Sequence, residues 1–437
     1  MKEEMKMSCL TAKGDPRYNI RLSLNFEISS YKSGIFSDYI ADLISKSGIK
    51  GHRKALKKAL GIIAAGLFEA AAKSSDCFVS KRMARGDFTG MPIGYRPMRN
   101  ALDGLRKLDL IDFEGGYCPT SSKDPKKAQT SRFRATPAYL SSAKSYGITP
   151  HNWMDHYSSG PMAVSVSEPI ILRSNSRWIA TGWTSHKIAG KDMAFDATEP
   201  KVAGIIRQVD EINAFMVGHD IKPAHWFGGF QRIFSQGDIA GFDWNKGGRL
   251  YAVEGGYQQR TSDERATMTI NGEAVVEIDI SASHLTIFHA LQGLSIAGDA
   301  YDVPGVERSI VKAFVTMTLG KGAFHWRWPD EHKEQYAADK PGRDLQKDFP
   351  IGKTRAKIIA HIPALADIAA SRLNWADLQY IESKAIIDTV HELATVHGIP
   401  ALPVHDSIIA PASKREIAAN VLSDMFEKHV GIRPVLK

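Results

Sequence analysis

The segment EAVVEIDIS, residues 273–281, is an apolar run that ends in a carboxylate. Ala274, Val275, Val276 and Ile278 read as a buried strand, since apolar and β-branched residues suit a pleat covered on both faces. Asp279 falls at the C-terminal edge of that strand, and Ser281 or Ser283 is expected to cap a helix starting at His284. A carboxylate there is well placed for a metal ion, because it emerges where the backbone leaves the sheet. Taken alone, Asp279 reads as a helix-capping residue.

A second segment changes the reading. In IPALPVHDSIIAP, residues 399–411, two short apolar strands flank a tight His-Asp-Ser turn and put Asp406 at the tip of a hairpin. A helix is expected to follow, opened by Ser413 with Glu416 three residues on as a capping box. Two strand-end carboxylates far apart in sequence can lie side by side in one sheet. Such a pair can hold two Mg²⁺ ions that clamp the attacking and leaving oxygens of a phosphoryl transfer. Between them, in VPGVERSIVKAFVTMTLG at 303–320, Pro304 is expected to start a helix on which Arg308 and Lys312 share one face. Two cations on one stripe suit the β- and γ-phosphates of a nucleoside triphosphate, although an isolated pair of this kind is more often a solvated face.

The order of these pieces resembles motifs A, B and C of the family A DNA polymerases and of the single-subunit RNA polymerases of phages and mitochondria. Upstream, DWNKGGRLYAV at 243–253 is similar to the Gly-Arg-x-Tyr element that those RNA polymerases carry before motif A. The resemblance covers residues 240–430. It implies that Asp279 and Asp406 bind two Mg²⁺ ions (or Mn²⁺), that Arg308 and Lys312 hold the incoming triphosphate, and that Lys312 protonates the leaving pyrophosphate. It further implies that His405 positions the 3′ end and that Arg249 touches the nucleic acid near the reacting atoms. His284 stands where related enzymes place either a Glu that excludes a 2′-hydroxyl or a permissive Gly. Weak discrimination between ribo- and deoxyribonucleotides is therefore expected. Gly320 and Lys321 stand where the family carries a motif B tyrosine. The short span from Asp279 to Lys312 leaves room only for small fingers.

Outward from this region, residues 50–118 read as helices followed by a strand entering a Gly-Gly turn. The helix containing Met98, Ala101, Leu102, Leu105 and Leu108 carries Arg96 and Arg99 beside it. Helices followed by a β-wing resemble a winged-helix domain, whose second helix enters the DNA major groove; a packing module without DNA contact is the alternative. The polar stretch 117–133 reads as a wing tip or linker. Val202, Ile205, Ile206, Val209, Ile212, Phe215 and Met216 mark an amphipathic helix.

A net charge of +8 over 437 residues suits a polyanion binder. Three isolated cysteines argue against disulfides and zinc, and point to a reducing cytoplasm. The N-terminus has no apolar segment of a signal peptide, and the longest apolar stretch, 59–72, is too short to span a bilayer. The ending of FPIGKT, 349–354, resembles a phosphate loop but lacks its first glycine, so a helix capped at Thr354 is expected. Trp326 and Trp328 read equally as base-stacking or as packing residues, and Gln258 and Gln259 as solvated loop residues.

The expected fold is α+β. It comprises an N-terminal extension (1–49), a winged-helix-like domain (50–135), a helical connector or thumb (136–240), and a right-hand palm with an antiparallel sheet and small helical fingers (241–437). The expected activity is template-directed nucleotide transfer to a 3′-hydroxyl by a compact, primase-like enzyme acting on single-stranded or primed DNA, with no membrane partner. A DNA-binding replication initiator with a non-catalytic polymerase-like half, and a template-independent nucleotidyltransferase, are the alternatives.

Overall fold

A computed structural model describes residues 19–83, 88, 92–116, 130–159, 166, 168–181, 184–188, 190–253, 256–294, 296 and 298–437. The chain begins with β1 (Asn19–Arg21), β2 (Phe26–Ile28), α1 (Tyr31–Lys46) and α2 (Arg53–Lys73). Ser30 and Ser33 exchange hydrogen bonds as a capping box, which satisfies first-turn donors of α1. Next come β3 (Phe78–Ser80), α3 (Tyr95–Lys107), β4 (Ile111–Glu114), β5 (Arg132–Ala135), α4 (Pro137–Ser145) and β6 (Tyr157–Ser159). One sheet has the order β1-β3-β5-β4, antiparallel from β3 to β4. Met98, Ala101, Leu102 and Leu105 form the buried stripe of α3. Gly104 lets this helix approach α1 closely, because a Cβ there would lie 2.6 Å from the Ile44 side chain.

A single hydrophobic core gathers residues from Ile20 to Tyr157. Packing therefore shows no break at residue 49, since Phe26, Phe36 and Ile40 share the core of α2 and α3. Residues 84–87 and 89–91, and residues 117–129 of the expected wing tip, lie outside the described residues.

The middle of the chain differs from the helical connector expected over 136–240. It holds α4, β6, β7 (Ile170–Arg173), β8 (Arg177–Thr181), β9 (Thr184–Ile188), β10 (Asp192–Met193), α5 (Pro200–Met216), β11 (Ile221–Lys222) and β12 (Phe230–Phe234). With β13 (Gly247–Ala252), a four-stranded sheet forms in the order β10-β7-β12-β13. These strands span five residues or fewer apart from β13, too short for a period-two pattern to stand out in sequence.

The remaining elements are α6 (Ser262–Arg265), β14 (Thr269–Ile270), β15 (Glu273–Asp279), α7 (Ser283–Ala290), α8 (Arg308–Lys321), α9 (Asp330–Asp339), α10 (Leu345–Asp348), α11 (Ile351–His361), α12 (Trp375–Thr395), β16 (Leu402–Val404), β17 (Ser407–Pro411) and α13 (Arg415–Val430). Five strands form an antiparallel sheet in the order β11-β14-β15-β17-β16. Every residue of β17 is buried. Pro403 sits in the edge strand β16, where a missing N–H is tolerated. Its carbonyl accepts hydrogen bonds from Tyr257 Oη and Gln258 Nε2, both at 2.7 Å. Gln258 is therefore a structural bridge and not a solvated loop residue. A second core joins α5 and β11–β13 to this sheet and its helices. The whole is a mixed α+β protein with several small sheets. No described helix is long and apolar enough to cross a membrane.

Four expected helix starts move. The N-cap of α7 is Ala282, at φ 54° and without a side-chain cap, so neither Ser281 nor Ser283 fills that role. Helix α8 begins at Arg308 and not at Pro304, because Gly305 adopts φ +71° and breaks the helical path. Thr354 is buried inside α11, which starts after Pro350. Ser413 gives its N–H and hydroxyl to Glu273 across the sheet, and α13 opens at Arg415 without a side-chain cap.

Candidate active site

The antiparallel ladder of β15 and β17 sets Asp279 opposite Ser407, so Asp406 lies one step beyond the paired residues. The Ile280 N–H donates to the Asp406 carbonyl at 3.1 Å, which ties the two strand ends together. Residues 435–437 close the other side of Asp279. Its N–H donates to the Lys437 carbonyl at 3.2 Å, and the Lys437 N–H returns a bond to the Asp279 carbonyl at 2.9 Å. The two-residue turn from Val404 to Ser407 places His405 at φ 54°, a left-handed conformation that a non-glycine residue holds at a cost of roughly 1–3 kcal/mol.

The electrostatics follow from burial and like charge. Burial, then the charges of Glu382 and Asp279, push the Asp406 carboxyl up to about 6. Burial also raises Asp279, against the opposing charges of Lys437 and Lys312. Lys312 is exposed on α8 and forms no ion pair among the described residues. Arg308 is engaged: its Nε and Nη2 donate to the two Asp299 oxygens at 2.6 and 3.2 Å. The guanidinium also lies 5.4 Å from the centre of the Tyr301 ring. Burial and the Asp406 charge push the Tyr301 phenol up to about 12. The structure thus separates the expected cation pair into an anchored Arg308 and an unpaired Lys312.

Glu382 of α12 organises the other side. Its carboxylate is almost fully buried and accepts from Arg249 Nε at 3.1 Å and from Arg249 Nη2. His284 Nε2 stands 3.3 Å from its second oxygen. Burial alone would raise this carboxyl, yet His284 and Arg249 hold it well below the usual carboxylate range. Arg249 Nη1 is also 3.4 Å from His405 Nδ1. Burial and the Arg249 charge lower the pKa of His405. Arg249 and His284, from separate sequence segments, therefore meet at one carboxylate that sequence reasoning missed, and His405 joins them through Arg249. The only signal was an acidic residue between Leu378 and Ile386, each four residues away, on an otherwise apolar helical stripe.

Other expectations fall elsewhere. Arg96 and Arg99 lie exposed on α3, which belongs to the other core. Arg99 is tied to Asp103 at 2.9 Å and to Tyr95 Oη at 3.2 Å. The tryptophans divide: Trp328 is buried and donates to the Phe349 carbonyl, whereas Trp326 is exposed beneath the Arg355 guanidinium.

Two half-buried carboxylates with incomplete charge compensation offer hard oxygen donors to a cation. Mg²⁺ is commonly held by one or two carboxylates, with water and substrate phosphates completing its shell. Among the described residues, no group of three or more His, Cys, Asp or Glu side chains is arranged to hold a metal. The donor set of Asp279 and Asp406 fits a substrate-completed site and not a closed protein cage. Neither protein-family models nor curated protein sequences give a match to this chain.

Proposed function

We propose that this chain is a compact template-directed nucleotidyltransferase, primase-like in build, whose substrates are nucleoside triphosphates and a single-stranded or primed DNA template. The observation that carries this reading is the meeting of Asp279 and Asp406 at the adjacent ends of β15 and β17, Asp279 opposite Ser407 and Asp406 one step beyond, with Asp406 raised by burial and like charge. Asp279 and Asp406 would hold two Mg²⁺ ions, or Mn²⁺ in their place, which when bound supply positive charge to the attacking and leaving oxygens.

The residues divide the remaining work. The 3′-oxygen forms a bond to the α-phosphorus as the bond to the bridging oxygen breaks and pyrophosphate leaves. Lys312, whose charge acts on Asp279, is available to neutralise the departing phosphates and to deliver a proton to them. Arg308 can exchange its Asp299 contact for a phosphate, since a carboxylate and a phosphate offer the same fork of oxygens. Arg249, held by Glu382 and next to His405, would steady the strand that carries the 3′-hydroxyl. His284, on the first turn of α7, would wall the sugar. The five-stranded antiparallel sheet supports a palm, and α8–α11 support small fingers. The order β3-β5-β4 with α2 before β3 and α3 before β4 supports a winged-helix unit, with α3 as its DNA-reading helix and Arg96 and Arg99 as phosphate contacts. A cytoplasmic setting agrees with the isolated cysteines.

The test offers the full-length protein labelled ribo- and deoxyribonucleotide pools with Mg²⁺ or Mn²⁺, on single-stranded DNA with and without a primer. Wild-type protein should extend the strand, and competing the two pools reads its sugar choice. Asp279→Ala and Asp406→Ala should abolish incorporation while folding and DNA binding are retained. Near-normal incorporation by either variant would overturn the reading.

A further inference from the structure

A cavity of about 400 Å³ opens between α5 and α12 above β12. Tyr380 and Lys384 line it from the side of α12 turned about 200° from Glu382, so it is separate from the carboxylate pair. Arg232, at its floor, is only 4% exposed. Its Nε donates to the Gly248 carbonyl at 2.8 Å, and its guanidinium lies 4.9 Å from the centre of the Phe234 ring. Neither Nη nitrogen has a hydrogen-bond partner among the described residues, and no carboxylate among them lies within ion-pair distance of this side chain.

The acids nearby already have partners. Glu211 is bound by His391 at 2.7 Å. Asp388 receives His429 at 2.7 Å, Gln208 at 2.8 Å and Lys384 at 3.3 Å. At the rim, Arg207 is exposed and forms no ion pair among the described residues. A buried guanidinium without a direct ion pair is unfavourable; burial draws the Arg232 pKa down to about 10, with the more distant Asp388 charge opposing it only in part. Aromatic stacking and one carbonyl leave most of its fork unused, and that fork matches two oxygens of a phosphate.

We propose that this cavity is a second site, binding the phosphate group of a nucleotide or of a polynucleotide strand through Arg232, with Arg207 at the rim and the Tyr380 hydroxyl as a further donor. The site does not rest on the nucleotidyltransferase reading, because none of its residues belongs to the Asp279–Asp406 cluster. A pocket of this volume admits a phosphate together with part of a nucleoside.

Calorimetric titration of the full-length protein tests it with two probes, inorganic pyrophosphate and a short oligothymidylate. Arg232→Met should weaken binding roughly tenfold or more, the loss expected for a desolvated charge-assisted contact. Arg207→Gln and Tyr380→Phe should each weaken it severalfold, and they carry the test if Arg232→Met lowers the melting temperature. Asp279→Ala should leave the cavity component unchanged, which separates this site from any binding at the carboxylates. Variant-sensitive binding of pyrophosphate assigns a free phosphate ligand, and variant-sensitive binding of oligothymidylate alone assigns a strand phosphate. Affinities unchanged in all the folded cavity variants, or no binding of either probe, would overturn the site whatever the outcome of the incorporation assay.

Discussion

Asp406 occupies a turn where its charge is disfavoured by burial and by two neighbouring carboxylates. With its folded pKa raised to about 6, the stability that the protonated form contributes is complete below the ordinary carboxyl value of 3.8. That stability is lost as pH rises through about 6. Asp406→Asn should therefore stabilise the fold at pH 8 in EDTA by on the order of 1–3 kcal/mol, read as a higher melting temperature, and give little gain at pH 4. A lower melting temperature at pH 8 would show that the carboxylate is stabilised where it stands. Mg²⁺ should stabilise the wild type more at pH 8 than at pH 5.5, since a ligand must shed its proton. On α8 the two cations should part company. Lys312→Ala should lower turnover by roughly 10²–10⁴-fold, the size of a lost general acid. Arg308→Ala should mainly raise the apparent KM, because Asp299 already competes for that side chain. Small and equal losses in steady-state kinetics would return both to a solvated helix face. His284 also reads differently in three dimensions: a Glu at that position would face Glu382, so charge repulsion would accompany any effect on the sugar.

At the scale of elements, α3 and α12 carry the distinctions. Arg96 and Arg99 share the exposed side of α3, yet only Arg99 has a local carboxylate, Asp103, that must be displaced by a phosphate. Arg96→Ala should therefore weaken duplex binding more than Arg99→Ala, and the double variant should lower the salt slope by up to about 2. A slope unchanged in the double variant would make this unit a protein-docking module. Helix α12 begins with a capping box between Asn374 and Asp377 and runs 21 residues between two chemistries. Glu382 gathers Arg249 and His284 on one side, while Tyr380 and Lys384 face the Arg232 cavity on another.

The core of α1–α3 and the core around β15 and α12 are joined by polar contacts. Arg260 donates to Glu69 at 2.9 Å with both side chains 9% exposed, and Lys73 pairs with Glu264 nearby. The Arg260 guanidinium also packs 4.9 Å from the Trp226 ring centre. Removing one partner leaves a buried charge uncompensated, so Glu69→Ala should cost about 3–5 kcal/mol. Urea unfolding followed by circular dichroism should show a lower midpoint. A midpoint shift near zero would mean that α2 and the segment before α6 are coupled by packing alone.

The sequence by itself determined the parts whose information is local. The apolar run before Asp279 is β15, the segments around Asp406 are β16 and β17, and the stripes of Met98 to Leu105 and Val202 to Met216 are helical faces. Period and turn chemistry suffice there because each residue's environment is set by its own element. Tertiary structure alone decided the partners. Ser413 answers Glu273 across the sheet where a capping box was expected, Gln258 bridges to Pro403, and Asp299 occupies Arg308. Glu382, Tyr301 and Arg232 had no motif, because a buried charged or phenolic group takes its meaning from the groups packed around it. Those groups come from strands and helices tens to hundreds of residues away, and no window of sequence contains them.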